Sequence, residues 1–204
     1  MKLTDSSNFE PNVEASSPTL RWSGQLREVG VEFEEISCRS PSPLHGETSL
    51  MISVKLRDLH HRDKEAVIAM LLDPQVMRFL GPRRALAEDE ADSWFEAALA
   101  NPARFAVANA DTDEFIGFCG IKQMDGVPDF GYFIRSEFWG NGIAAKACEL
   151  IVERLSHEID LETVQVFIAD DNLASQRVAQ KLGWHATHSG SKDGEYGQYY
   201  RITM

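Results

Sequence analysis

The stretch Asp129-Phe-Gly-Tyr-Phe-Ile-Arg-Ser-Glu-Phe-Trp-Gly-Asn-Gly-Ile-Ala-Ala-Lys-Ala147 carries an apolar run through a glycine turn into a helical pattern. Gly140 and Gly142 reach backbone angles closed to other residues and admit a ligand with no Cβ in the way. The unpaired N–H groups of the first helical turn, at the positive end of the helix dipole, then face whatever occupies the turn. The segment outlines a site for an anion, and a phosphorylated ligand is its natural occupant. The plainer alternative is a strand-to-helix turn that merely needs glycine.

Upstream of the turn, residues 104–109 and 114–123 flank Ala-Asp-Thr-Asp and predict an antiparallel hairpin. Residues 127–134 follow Asp125-Gly126 as a third strand that leads into the turn. Before these, residues 50–56 predict a strand, 62–72 a helix, 74–80 a short helical segment and 88–100 a longer helix with Trp94, Phe95 and Leu99 on one side. Downstream, the pattern predicts a helix from about 142 to 157, a strand over 163–169, a helix over 172–182, and closing strands around 184–188 and 198–203. This order implies one α/β domain whose mixed, mostly antiparallel sheet has about six to seven strands and helices on both faces.

The 204 residues, 43% hydrophobic and 25% charged, suffice for one domain with a buried core. Residues 1–46 are rich in Ser, Pro and Glu and read as an arm, partly disordered or docking, with Val29, Val31 and Phe33 alternating like a short strand; residues 47–204 form the main domain. No apolar run is long enough to span a bilayer and no signal-peptide pattern opens the chain, so a cytoplasmic protein without membrane partners is expected. Cys38, Cys119 and Cys148 lack metal-ligand spacing and read as reduced thiols, so no metal is expected. A formal net charge of −12 argues against nucleic acid as a partner and favours a cationic substrate.

Gly140-Asn-Gly142-Ile-Ala-Ala145 also fits the loose dinucleotide pattern G-x-G-x-x-A. That fold requires the fingerprint at a strand end and further βα units, whereas Arg135 to Trp139 intervene and antiparallel strands precede the turn. The span from about residue 50 to 203 instead resembles the GNAT superfamily of acetyl-CoA-dependent N-acetyltransferases, in a subgroup similar to the RimJ/RimL ribosomal-protein N-terminal acetyltransferases. Three motifs carry the resemblance. The coenzyme turn of that subgroup, Tyr-Trp-Gly-Lys-Gly-Tyr-Ala, stands here as Phe138-Trp139-Gly140-Asn141-Gly142-Ile143-Ala144. Asp171-Asn172-Leu173-Ala174-Ser175 through Lys181-Leu182-Gly183-Trp184 resembles Asn-x-x-Ser followed by Lys-Leu-Gly-Phe. Leu72-Asp73-Pro74 through Phe79-Leu80-Gly81 is similar to the subgroup's opening helices.

The resemblance implies acetyl-CoA as co-substrate and a primary amine, either a peptide N-terminus or a small-molecule amine, as acceptor, in a monomer or homodimer. It places the coenzyme's diphosphate on Trp139, Gly140, Asn141, Gly142, Ile143, Ala144 and Ala145, and its pantetheine arm along Phe133, Ile134 and Arg135. Asn172 and Ser175 are implied as further coenzyme contacts, although Asn172 is equally a favoured helix N-cap. Lys146 and Arg177 are candidate phosphate partners or ordinary exposed helix charges. Asp129 is the implied general base, with Glu137 as a second candidate. A tyrosine general acid common in the superfamily is replaced by Ala179, which leaves Ser175, Tyr132 and Tyr199 as proton sources. The acceptor cleft is implied between residues 77–82 with Trp94 and the final hairpin at 190–199. A coenzyme-binding module without turnover is the alternative implied by the missing tyrosine.

Overall fold

The computed structural model describes residues 52–124 and 126–203. The expected arm, Cys38 and the start of the strand expected over 50–56 lie outside the described residues. Strand β1 (Val54–Arg57) is followed by a 3-10 turn, helix α1 (Lys64–Leu72), helix α2 (Pro74–Met77) and helix α3 (Glu88–Ala100). Three strands come next, β2 (Phe105–Asn109), β3 (Phe115–Met124) and β4 (Val127–Ile134), and then helix α4 (Ile143–Leu155). Strand β5 (Val166–Ala169), helix α5 (Leu173–Lys181) and the hairpin β6 (His185–Lys192) and β7 (Glu195–Arg201) complete the domain. No helix among the described residues is long and apolar enough to cross a membrane.

Local chemistry sets the helix boundaries. Asp73 accepts the Gln75 N–H at 2.8 Å and Pro74 opens α2, since its missing N–H would have no helical partner there. Glu90 folds back to accept the Ala87 N–H at 2.8 Å and starts α3. The amphipathic pattern of α4 buries Ile143, Ala147, Cys148 and Ile151 on one side.

Among the described residues seven strands form, and they split into two sheets, with orders β1-β2-β3-β4 and β5-β7-β6, rather than one continuous sheet. All neighbouring strands pair antiparallel, and the one parallel contact among the described residues is a bridge between Asp129 and Gln165. The final hairpin is longer than its sequence expectation. Asp193 and Gly194, at φ 51° and 83°, close it as a two-residue turn whose twist matches that of the strands. β6 is largely polar and exposed, so hydrophobic alternation marked only part of the hairpin. Its two strands are held by register and by Tyr199, whose ring covers Gly190 and stacks on His188 at 4.7 Å.

Side-chain alternation divides the core between the two faces of the first sheet. Val107, Ile116, Cys119, Phe130 and Ile134 pack with α4 on one face. Ala106, Phe115 and Phe118 pack with Val67, Met70, Leu71 and Phe95 of α1 and α3 on the other. Both described cysteines are buried free thiols.

Arg57 ties the second layer down. Its guanidinium donates to Asp63 at 2.7 and 2.8 Å and to Asp113 at 3.0 Å, joining β1, the start of α1 and the β2–β3 turn. Burial alone would raise the Asp63 carboxyl, but hydrogen bonds from Arg57 and from the His60 amide outweigh it and hold the group below its usual range. A lowered folded-state value stabilises above the unfolded value, near pH 4, and the contribution disappears as pH falls through the folded one. Urea unfolding of Asp63→Asn is therefore expected to show a loss of about 1–3 kcal/mol at pH 7, with the gap to wild type closing below about pH 4.

Candidate functional site

The two sheets meet at one point and then part. Phe130 N–H donates to the Gln165 carbonyl at 2.8 Å and Gln165 N–H donates to the Pro128 carbonyl at 2.8 Å. Beyond them β4 continues against β3 while β5 continues against β7, so a wedge opens between β4 and β5 toward the C-terminal ends of both. The glycine turn and the start of α5 lie at those ends.

Strand parity decides which residues face the wedge. Peptide groups in a strand alternate between its two edges, and the Phe130–Gln165 bond shows that even-numbered residues of β4 point to β5. Tyr132 and Ile134 therefore present backbone groups to the open edge. Of the three pantetheine residues implied by resemblance, only Ile134 does so. Phe133 faces its partner Phe118 in β3, and Arg135 donates its N–H to the Ile116 carbonyl at 2.9 Å. The Arg135 guanidinium is also committed to the sheet, bonding the Phe115 carbonyl at 2.7 Å and pairing with Glu114 and Glu137. Tyr132 is the wedge residue that the sequence reading missed; the period-2 pattern contained it, but only the pairing at Gln165 fixes the parity.

At the wide end, Gly140 and Gly142 adopt φ 82° and 74°, the left-handed region that favours glycine. Asn141 fastens the turn from within, donating its side-chain amide to the carbonyls of Phe138 at 3.1 Å and Trp139 at 3.2 Å. Trp139 donates its indole N–H to the Ile134 carbonyl at 2.7 Å, which ties the turn to the end of β4. Helical bonding begins at Lys146, whose N–H reaches the Gly142 carbonyl at 3.1 Å, so the amides of Ile143, Ala144 and Ala145 precede the first intrahelical bond. Ile143 and Ala145 are buried and anchor the turn to the core.

Lys181, at the end of α5, extends its ammonium to this turn: a Cβ on Gly142 would sit 3.5 Å from Nζ. This cation was not singled out in the sequence, where spacing along one helix drew attention to Lys146 and Arg177. Lys146 instead pairs with Glu149 at 3.1 Å on an exposed helix surface, and Arg177 is exposed.

Asn172 caps α5 by accepting the Ser175 N–H at 3.1 Å, so any ligand contact from it falls to its Nδ2 amide. Across the wedge, the Tyr132 hydroxyl is buried with no hydrogen-bond partner. The Ser175 hydroxyl lies beside it, and burial pushes the phenol well above the ordinary tyrosine range. Ala179, fully buried, belongs to the core cluster against which Tyr132 packs.

The other face of β4 carries Asp129, Gly131 and Phe133. Lys192 from the tip of β6 pairs with the Asp129 carboxylate, and Arg104 stands 3.7 Å from its other oxygen. Trp94 meets Phe118 and Phe133 edge-on at 5.4 and 6.2 Å and backs this face. Ion pairs of Arg83 with Glu195 at 3.0 Å and Arg78 with Asp171 at 3.5 Å tie the segment after α2 to the β5–α5 loop and the last hairpin. Tyr196 projects into solvent, 79% exposed, and Tyr199 is occupied with Gly190 and His188. Glu137 is engaged by Arg135 on the outer side of the turn. Among the described residues no cluster of His, Cys, Asp and Glu has metal-binding geometry.

Comparison with known proteins agrees with this arrangement. The uncharacterized N-acetyltransferase YoaA of Bacillus subtilis is 27% identical over 152 residues, which cover 71% of this chain and 82% of YoaA. An acetyltransferase of Agrobacterium tumefaciens superimposes with a TM-score of 0.62 at 20% identity, over 82% of this chain and all of the other. RimL, a ribosomal L7/L12 α-N-protein acetyltransferase solved with coenzyme A, superimposes with a TM-score of 0.58 at 16% identity, over 74% and 96% of the two chains. Residues 53–185 match the acetyltransferase (GNAT) domain family, and the chain belongs to that family of acyltransferases.

Proposed function

We propose that this chain transfers an acetyl group from acetyl-CoA to a primary amine, a protein N-terminus or a small amine, by direct attack within a ternary complex. The observation that carries the reading is the wedge: an open strand edge leads to a turn in which the Trp139 N–H is taken by the Ser136 carbonyl at 3.1 Å but the amides from Gly140 to Ala145 have no partner among the described residues. Its residues fit the co-substrate. An edge of backbone donors and acceptors suits the amides of a pantetheine arm, and the turn with Lys181 suits a diphosphate. Acetyl-CoA would supply the thioester carbonyl that accepts the amine. The likeness to RimL supports a protein N-terminus as the acceptor, and Tyr132 beside Ser175 supports turnover over mere coenzyme binding.

The chain's own groups then divide the work. The N–H of Ile134, on the open edge, would donate to the developing oxyanion, where a fixed dipole needs no reorganisation. Asp129, on the acceptor face of the same strand, would take the ammonium's proton through water, leaving a neutral nucleophile. The Tyr132 phenol, held protonated by burial, would work with Ser175 as the proton donor for the departing sulfur, in place of the absent tyrosine at Ala179.

Three variants test the assignment. Lys181→Gln should weaken CoA binding about three- to tenfold, with a shallower salt dependence, in calorimetric titrations. Tyr132→Phe and Asp129→Asn should each lower acetyl-CoA thiol release with a peptide and amine panel by about 10²-fold or more, with CoA affinity kept within about threefold. An unchanged kcat/KM in Asp129→Asn excludes it as base. Tight CoA binding by wild type without thiol release for any acceptor would establish the module without turnover.

A further inference from the structure

Arg104 is the most conspicuous unexplained charge in the domain. It stands at the start of β2 and lies across two glycines that face each other in the sheet, Gly120 of β3 and Gly131 of β4. A Cβ on Gly131 would meet the guanidinium at 2.8 Å, and one on Gly120 would meet the Arg104 backbone at 3.2 Å. The glycine pair therefore forms a trough that only this side chain fills. Within it, Nε is buried with no hydrogen-bond partner. The ion pair with Asp129 spans 3.7 Å, beyond hydrogen-bonding distance. The face of Phe133 lies 5.9 Å away, and burial lowers the guanidinium's pKa.

A guanidinium presents a planar fork of donors, and leaving such donors unmade in a partly buried setting is costly. The surroundings carry excess positive charge. Lys192 pairs with Asp129 and Arg104 stands at its other oxygen, so two cations share one carboxylate. This local balance is opposite in sign to the whole chain, whose formal net charge is −12. Gly131 lies three residues before Ile134, about 10 Å along the strand from the region where an acceptor amine would meet the thioester.

From this we infer that Arg104, with Lys192, forms a carboxylate subsite in the acceptor cleft, and that the amine acceptor carries a carboxylate a few bonds from its reacting nitrogen. The inference rests on the proposed acetyl transfer and narrows its substrate class. An amino acid and a peptide with an acidic first residue share the required chemistry. The bound carboxylate would replace Asp129 as the partner of both cations and release Asp129 to receive the ammonium's proton.

The test uses matched ligands titrated into the 204-residue chain, with and without saturating CoA. The pairs are glutamate against glutamine, aspartate against asparagine, and tripeptides beginning with Glu or Asp against those beginning with Gln or Asn. At least one carboxylate ligand is expected to bind about tenfold or more tightly than its amide partner. Arg104→Gln should reduce that preference to about unity, Arg104→Lys should retain part of it, and neither should alter CoA affinity. Thermal unfolding of Arg104→Gln against wild type separates loss of binding from loss of fold. Preference in the amino-acid pairs alone identifies a small acceptor, and preference in the peptides alone identifies a protein N-terminus. Equal binding of acid and amide in every pair, or a preference that survives Arg104→Gln, overturns the inference. Absence of CoA binding by wild type would instead overturn the coenzyme reading, since the carboxylate titrations are also made without it.

Discussion

The two hydrogen bonds between β4 and Gln165 are the constraint on which the rest depends. They fasten the sheets at one end, and the loss of pairing beyond them creates an open strand edge in the middle of a domain. An unpaired edge is ordinarily a liability that proteins cover. Here it is flanked by two sheets and α4, and it leads, past an Ile134 carbonyl taken by the Trp139 indole, to a turn whose amides from Gly140 to Ala145 have no partner among the described residues. A ligand with amides at one end and phosphates at the other would suit such an edge and turn.

The same strand separates the chemistry by face. Even-numbered residues of β4 turn Phe130, Tyr132 and Ile134 toward α4 and the wedge, while odd-numbered ones turn Asp129, Gly131 and Phe133 toward α3. The buried phenol of Tyr132 and the guanidinium over Gly131 are consequently on opposite sides of one strand. In the proposed mechanism that arrangement would let a proton donor and an acceptor-recognition group keep different electrostatic surroundings within a few residues of sequence.

Much of this was legible in the chain. Gly140 and Gly142 announced a left-handed turn, the apolar run before it a strand, and the order of elements the fold class, because each depends on local patterns of period two or 3.6 and on glycine's freedom. What could not be read depended on contacts distant in sequence. Lys181 reaches Gly142 only because α5 packs beside α4, and the parity of β4 is set by Gln165 more than 30 residues later. Phe133 and Arg135 were natural choices without that parity. The extent of the final hairpin was underestimated because many of its residues are polar, although Asp193-Gly194 was a usable signal. The overall acidity pointed to a cationic substrate, whereas Arg104 and Lys192 both stand at Asp129 on one face of β4; net charge describes the far field and not each local surface.

The most direct measurement of the central claim is a titration of ¹⁵N-labelled protein with coenzyme A, followed by amide chemical shifts. The account predicts that the amides of Tyr132, Ile134 and residues 141–145 move together, with one saturation curve, while those of β1 and β2 stay in place. Coenzyme A that bound with the Tyr132 and Ile134 amides unchanged would contradict it, because the open edge of β4 would then not be where the ligand lies.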